Sequence, residues 1–315
     1  MARKRKGNPV HGWLVVDKPA GITSAGVVNK ARWALNAQKA GHSGTLDPMA
    51  TGCLAIAFGE ATKVIAVSQE GAKTYRFTMR WGQATSTDDA EGEVIATAAM
   101  RPAREAILAA LPVFTGDIAQ TPPAVSAVKV DGARAYDLVR EGAQPVLAPR
   151  PLHVASLTLL EMPDPDHAAF ELVCGKGGYV RSIARDLGAH LGCLGHVTVL
   201  RRLATGPFDL SAPASFADFD QWRETGTLPP LLPLQAGLGA TPVIDVDAGM
   251  ATDLRHGRAI AAPPAAECPL AWARHCGEAI ALGRISAGRF HPQRVLLAQG
   301  AAANDFAGQT AKTSL

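Results

Sequence analysis

Within Lys73–Trp81, the eight residues from Thr74 onward alternate between an apolar set (Tyr75, Phe77, Met79, Trp81) and a polar set (Thr74, Arg76, Thr78, Arg80). A period of two puts the two sets on opposite faces of an extended chain, so this segment is a half-buried strand and not a helix. On this reading Tyr75 faces the apolar side, where the plain interpretation is core packing. One strand needs partners, and further strands are expected at Trp13–Val16, Leu54–Phe58, His153–Glu161, Ala168–Cys174 and His196–Leu203.

Helical spacing interrupts these runs. After a candidate N-cap at Ser24, Val27, Val28, Ala31, Ala34 and Leu35 share one face. Residues Ala103–Leu111 and Ala133–Arg140 read as helices, and Val180, Ile183, Ala184, Leu187 and Leu191 form one apolar stripe over Tyr179–Leu191. Arg181 and Arg185 fall off that stripe, which for Arg185 suggests a solvated helix face. Strands and helices follow no regular βαβ period, so the expectation is an α+β fold, a mainly antiparallel mixed sheet with flanking helices. Prolines 207, 213, 229, 230 and 233 mark a peripheral excursion and linker, after which short apolar runs from Val243 to about Leu297 read as a small β-rich module. The domains expected are a basic disordered tail at 1–10, a catalytic domain at 11–240, a β-rich domain at 241–300 and a disordered tail at 301–315.

A content of 47% hydrophobic and 19% charged residues allows a sizeable buried core. Five scattered cysteines without a CxxC pair suggest neither a disulfide framework nor a zinc site. No apolar run approaches the roughly 18 residues of a membrane span, and no signal peptide is evident, so a cytoplasmic protein without membrane association is expected. Charge is unevenly placed: residues 1–80 hold 12 Lys/Arg against 4 Asp/Glu, a balance of +8, while the remainder carries −5 within the overall +3. Such a field attracts polyanions without naming one, and the Ala2–Lys6 cluster within it reads as a solvated tail.

That basic portion also contains GHSGTLDPMATGCL, Gly41–Leu54. Pro48 biases Asp47 toward an extended or turn conformation, and Gly44 and Gly52 permit sharp bends on either side. Such a loop can present a carboxylate to a ligand, although an Asp that only caps a turn fits the same spacing.

The loop resembles the active-site motif G-H-x-G-x-L-D-P-x-A-x-G of the TruB-type tRNA pseudouridine-55 synthases, and VVDKPAGITS, FGEATK, KTYRF, GQATSTDDAEG and KGGYVRSIARDLG resemble the family's other blocks in the family's order. Together they span roughly residues 12 to 205. The resemblance implies a pseudouridine synthase fold with a PUA-like RNA-binding domain at 241–300. It implies isomerisation of uridine 55 in the TΨC arm of tRNA, with no cofactor and no metal. By the same resemblance Asp47 is the nucleophile, Arg181 its ion-pair partner, and Tyr75 both a stacking ring and a candidate base for the C5 proton. Asp89, Tyr179 and Leu200 line the uridine pocket, and His42 fills the stack vacated by a flipped base. For Leu200 a core role fits equally well. Lys18 and Pro19 match a K-P motif that supports the loop, and Thr121–Arg150 matches an RNA-gripping insertion.

Two other readings stay open at this point: a structured-RNA binding or remodelling protein with secondary isomerase activity, and a glycoside or nucleoside hydrolase using Asp47 and Asp89 as a carboxylate pair. A stand-alone enzyme is expected over a guide-RNA-dependent one, with a monomer as the simplest state.

Overall fold

The protein is described from a computed structural model covering residues 6–126, 128–130, 133–140, 142–143, 145–262 and 267–296. Of the tails expected at 1–10 and 301–315, residues 1–5 and 301–315 lie outside the described residues, as do the side chains of Lys129, Arg134 and Arg140, whereas Val10 is buried in the core. From Asn8 the chain is tied to the body, where the Asn8 amide donates to the Asn36 carbonyl at 2.6 Å.

The main sheet runs in the order Ala214–Ser215, Gly12–Lys18, Thr51–Phe58, Gly195–Thr205, Lys73–Trp81, His167–Cys174, Arg150–Asp164 and Gly116–Gln120, with Ala40–His42 and Phe208–Asp209 as short additions. Most neighbours are antiparallel; the Gly12–Lys18/Ala214–Ser215 and Gly195–Thr205/Thr51–Phe58 pairs are parallel. This is the mixed, mainly antiparallel α+β sheet expected. The Lys73–Trp81 strand lies near its centre with the alternation intact: Tyr75, Phe77, Met79 and Trp81 are buried in the main core, where Phe77 stacks on Phe170 at 5.3 Å between ring centroids. Over this core lie the helices Ser24–Ala34 and Val180–His190.

The opposite face is covered differently along the sheet. Gly12–Lys18 is buried on both sides: Leu14 and Val16 enter the main core, whereas Trp13 and Val15 join a second core with Cys53, Ala55, Ala57, Leu234, Leu238, Trp272 and Leu282. That second core packs the C-terminal sheet, ordered Val243–Asp245, Cys268–His275, Glu278–Ser286, Arg289–Val295 and Ile260–Ala261, against the back of the first strands. The segment 205–241 is therefore not a peripheral excursion. Its Ala214–Ser215 strand extends the main sheet, Phe219 is fully buried, and the Leu234 carbonyl accepts from the Trp13 indole at 3.0 Å. Prolines here fix turns between short packed pieces, and burial of single large side chains replaces helical periodicity as the organising signal.

Candidate active site

Three elements converge on one pocket of about 310 Å³: the Gly44–Asp47 loop, the strand pair carrying Tyr75, Leu200 and Arg202, and the start of the Val180–His190 helix with Tyr179 and Arg181. That volume is at the lower end for small-molecule sites.

The loop keeps its shape through buried donors. Asp47 leads a Pro48 turn closed by the Ala50 amide on the Asp47 carbonyl at 3.1 Å. From below, the Lys18 ammonium, with no exposed surface, donates to the carbonyls of Pro19, Pro48 and Ala50 at 2.9, 3.1 and 2.6 Å. Ser24 is not the helix cap; Thr23 is, accepting from the Gly26 amide. The Ser24 hydroxyl instead clasps Leu46, accepting from its amide at 2.8 Å and donating to its carbonyl at 3.0 Å. Behind the loop Gly52 has φ +102°, and a Cβ there would stand 2.2 Å from the Arg202 carbonyl oxygen, so both the torsion and the close approach require glycine.

Opposite Asp47, Arg181 donates from Nε to the carboxylate at 3.0 Å, reaches Asp89 from Nη1 at 3.5 Å and gives a hydrogen bond to the Thr87 carbonyl at 3.0 Å. One planar fork thus holds two carboxylates and a turn. Arg181 lies in the first helical turn, and the helix start is fixed by Gln120, whose side-chain amide accepts from the Tyr179 N–H at 2.9 Å and donates to the Tyr179 carbonyl at 3.1 Å. Burial pushes the Asp47 carboxyl above its usual range; the Arg181 cation opposes this, Asp89 reinforces it, and Lys18 pulls down from beneath. The Asp47 side chain is 33% exposed toward the pocket, whereas that of Asp89 is 4% exposed. Asp89 Oδ1 is also occupied by the Thr87 hydroxyl at 2.5 Å and the Glu91 amide at 3.0 Å. Asp89 therefore orients Arg181 from behind and has no open face for an acid of a hydrolytic pair.

Of the residues read from the sequence, Asp47, Tyr75, Tyr179, Arg181 and Leu200 line the pocket, and Leu200 is at once its apolar wall and a core residue opposite Phe77. Asp89 joins through Arg181. His42 lies on the Ala40–His42 strand at the loop's entry, outside the pocket lining, its pKa lowered by burial and by the Arg202 cation. Burial raises the Tyr75 and Tyr179 phenols, with Arg202 pulling Tyr75 the other way.

Several contributors were not singled out from the sequence. Arg185, expected on a solvated face, is paired with Asp88 at 3.0 Å and donates to the Thr121 carbonyl at 2.8 Å, joining the Asp89 turn to the strand end next to the pocket. Arg202 is 1% exposed, and Gln120 is buried. A signal for Arg202 existed: Arg201 and Arg202 are adjacent in a strand, so one of the two must face inward.

Residues 32–180 match the model of the TruB family pseudouridylate synthase N-terminal domain, and residues 181–236 match that of the tRNA pseudouridylate synthase B C-terminal domain. The chain is 54% identical over 298 residues to tRNA pseudouridine synthase B of Ruegeria pomeroyi, covering 94% of this chain and 98% of the relative. It is 52% identical over 298 residues to the protein of the same name from Dinoroseobacter shibae, covering 94% and 99%. Among solved structures, one of an H/ACA RNP bound to a substrate RNA containing 2′-deoxyuridine superposes with a TM-score of 0.72 at 21% identity, over 95% of this chain and 92% of that one. A Cbf5-Nop10-Gar1 complex gives 0.72 at 23%, over 94% and 91%. These two show the fold, a pseudouridine synthase body with a curled C-terminal β unit. With the family model, the extent of identity and the fold in agreement, the chain belongs to the TruB family of pseudouridylate synthases and is an isomerase.

Proposed function

We propose that this isomerase acts on tRNA, converting uridine 55 of the TΨC loop to pseudouridine, with Asp47 as nucleophile. The observation that carries the reading is the Asp47–Arg181 pair at 3.0 Å on the wall of the pocket. A nucleophilic carboxylate must be ionised where water is largely excluded, and a fixed guanidinium supplies the opposing charge that burial would otherwise demand. The relatives' names support tRNA as substrate.

The reaction balances without an external reactant. Asp47 attacks the uridine at C1′ or C6, the C1′–N1 bond breaks, the uracil turns and C1′ bonds to C5; the bond to Asp47 breaks as C5 displaces it from C1′ or as it is eliminated from C6, and the C5 proton leaves while N1 gains one. Leu200 and the rings of Tyr75 and Tyr179 supply walls for a base taken out of its stack. Tyr75 is the candidate acceptor of the C5 proton, and His42, at the loop's entry, the candidate occupant of the emptied stack. We take a monomer as the working unit. We take residues 11–240 as the catalytic domain and the 241–300 unit as an additional grip on RNA.

Tritium release from a tRNA transcript labelled at uridine C5 tests the reading against Asp47→Asn, with binding followed in parallel. Release by the wild type, lost in the variant with binding retained, is expected. Tight binding without release from any transcript would move the assignment to RNA binding or remodelling.

A further inference from the structure

Arg202 is the most fully buried arginine of the site, and its guanidinium donates to three backbone carbonyls, Nε to Cys53 at 2.8 Å, Nη1 to Thr45 at 3.3 Å and Nη2 to Gly44 at 3.1 Å, while its side chain also meets the Tyr75 phenol. Two of these acceptors lie in the loop that carries Asp47, and the third is in the strand that follows it. Within the sheet Arg202 stands opposite Tyr75 on one side and Gly52 on the other. Among the described residues no carboxylate forms an ion pair with it. A carbonyl accepts a hydrogen bond without cancelling a full charge, so the guanidinium fixes the loop and keeps its field beneath the pocket it helps to line.

We propose that Arg202 is a positioning residue for the isomerisation, gripping the Asp47 loop by its carbonyls and standing as an unpaired cation beside the Tyr75 phenol. The two halves of this role separate chemically. Grip needs the planar fork; the field needs only the charge. Tyr75 is faced by Arg202 from the strand on one side, by Cys174 from the strand on the other and by Asp47 from the loop, and Arg202 is the foremost influence opposing the rise that burial imposes on the phenol. Lys18, His42, Cys53 and Lys73 also lie within reach of the Arg202 charge. An isolated phenol in this position would hold its proton more firmly and be a poorer partner in any proton transfer at uracil C5.

The catalytic half rests on the pocket being a uridine site, so the test joins a measurement that needs no RNA to one that does. Arg202→Lys and Arg202→Met are compared by NMR titration of isotope-labelled tyrosine in the free protein, where three tyrosines give few signals and Tyr75→Phe assigns the relevant one. Single-turnover rates and KM on tRNA are measured well below each variant's melting midpoint. The Met variant is expected to move the Tyr75 titration further up, because the charge opposing the effect of burial is gone. The Lys variant is expected to leave that titration near the wild type yet lose on the order of 100-fold in turnover with KM little changed, because a single ammonium cannot hold the Gly44 and Thr45 carbonyls as the guanidinium fork does. A folded Met variant in which Tyr75 titrates as in the wild type would overturn the electrostatic half. Wild-type turnover by the Lys variant would overturn the positioning half, and it decides the proposal alone if the Met variant does not fold. Absence of pseudouridine formation by the wild type would count against the proposed function and leave the tyrosine comparison intact.

Discussion

Replacing Arg181 gives a loss whose size follows from the surroundings. The Arg181 side chain is 6% exposed and serves three acceptors: Asp47 at 3.0 Å, Asp89 at 3.5 Å and the Thr87 carbonyl at 3.0 Å. Removing one partner of a fully buried pair costs about 3–5 kcal/mol. Asp47 is one-third open to the pocket, so solvent screens its share, and the loss expected at this carboxylate, the proposed nucleophile, is about 2–3 kcal/mol. At about 1.4 kcal/mol per tenfold, Arg181→Met should slow single-turnover pseudouridine formation by roughly 30- to 150-fold. Arg181→Lys should lose most of this as well, because one ammonium cannot meet all three acceptors in the plane of a guanidinium.

The pH dependence makes the test sharper. Burial raises the Asp47 pKa and Arg181 lowers it, so without Arg181 the pKa rises further and the acid limb of the rate profile moves to higher pH. Stability follows the same sign. A carboxyl whose folded pKa exceeds its unfolded one contributes fully below the unfolded value, and that contribution is lost as pH rises through the folded value. Arg181→Met should therefore melt closest to the wild type in acid and fall behind as the pH is raised toward neutrality. Single-turnover tritium release across pH, paired with thermal melts at the same pH values, measures both. Near-normal rates with an unmoved acid limb would refute the argument that Arg181 keeps Asp47 ionised.

If Tyr75 is the base proposed above, Tyr75→Phe should keep tRNA binding while lowering turnover by roughly 100-fold or more, since the ring survives and the phenol does not; unaltered tritium release would exclude the base role. Gly52→Ala should destabilise by more than about 2 kcal/mol, because an added Cβ at φ +102° meets the Arg202 carbonyl at 2.2 Å, and a denaturant midpoint within error of wild type would contradict that. Lys18, lowered by burial from its ordinary 10.5 to about 8, should give the rate an alkaline limb near pH 8 as its grip on three carbonyls weakens. Its folded pKa lies below the unfolded one, so its contribution to stability increases as pH rises from about 8 to about 10.5, and the limb should appear without a drop in melting temperature traceable to this residue.

Legibility in the sequence followed the kind of constraint at each position. Period-two and period-3.6 patterns act over many residues, so the Lys73–Trp81 strand and the Val27, Val28, Ala31, Ala34 and Leu35 face could be read directly. Asp47 was visible because Pro48 and the flanking glycines leave few conformations open. The roles of Arg181, Tyr75, Asp89, Tyr179 and Leu200 came from family resemblance, since nothing local distinguishes a pocket tyrosine from a core one. What was missed depends on single long-range contacts: Ser24 on Leu46, Arg185 on Asp88 and Thr121, Gln120 on Tyr179 and Phe219 in its core. These pair residues from distant parts of the chain, and no periodicity reports them. Helix propensity alone placed Ser24 at the cap, but burial against Leu46 gives its hydroxyl a better use and leaves Thr23, one residue earlier, to cap in the open.

The placement of Lys18 and Arg202 links the fold to the chemistry. Both are long cations buried beneath the Asp47 loop, and each donates to three backbone carbonyls. Carboxylate partners would hold the two side chains just as firmly while cancelling their charge, and the loop could then be rigid without being electropositive underneath. With carbonyl partners, rigidity and charge coexist. Lys18 lowers the Asp47 pKa against the effect of burial, and Arg202 does the same for Tyr75. Burial of cations without counterions is costly in isolation, which accounts for the number of loop carbonyls turned inward to meet them and for glycine at positions 44 and 52, where a side chain would crowd the Arg202 guanidinium or its backbone. The local sequence of the loop is thus set as much by the two cations below it as by the carboxylate it presents.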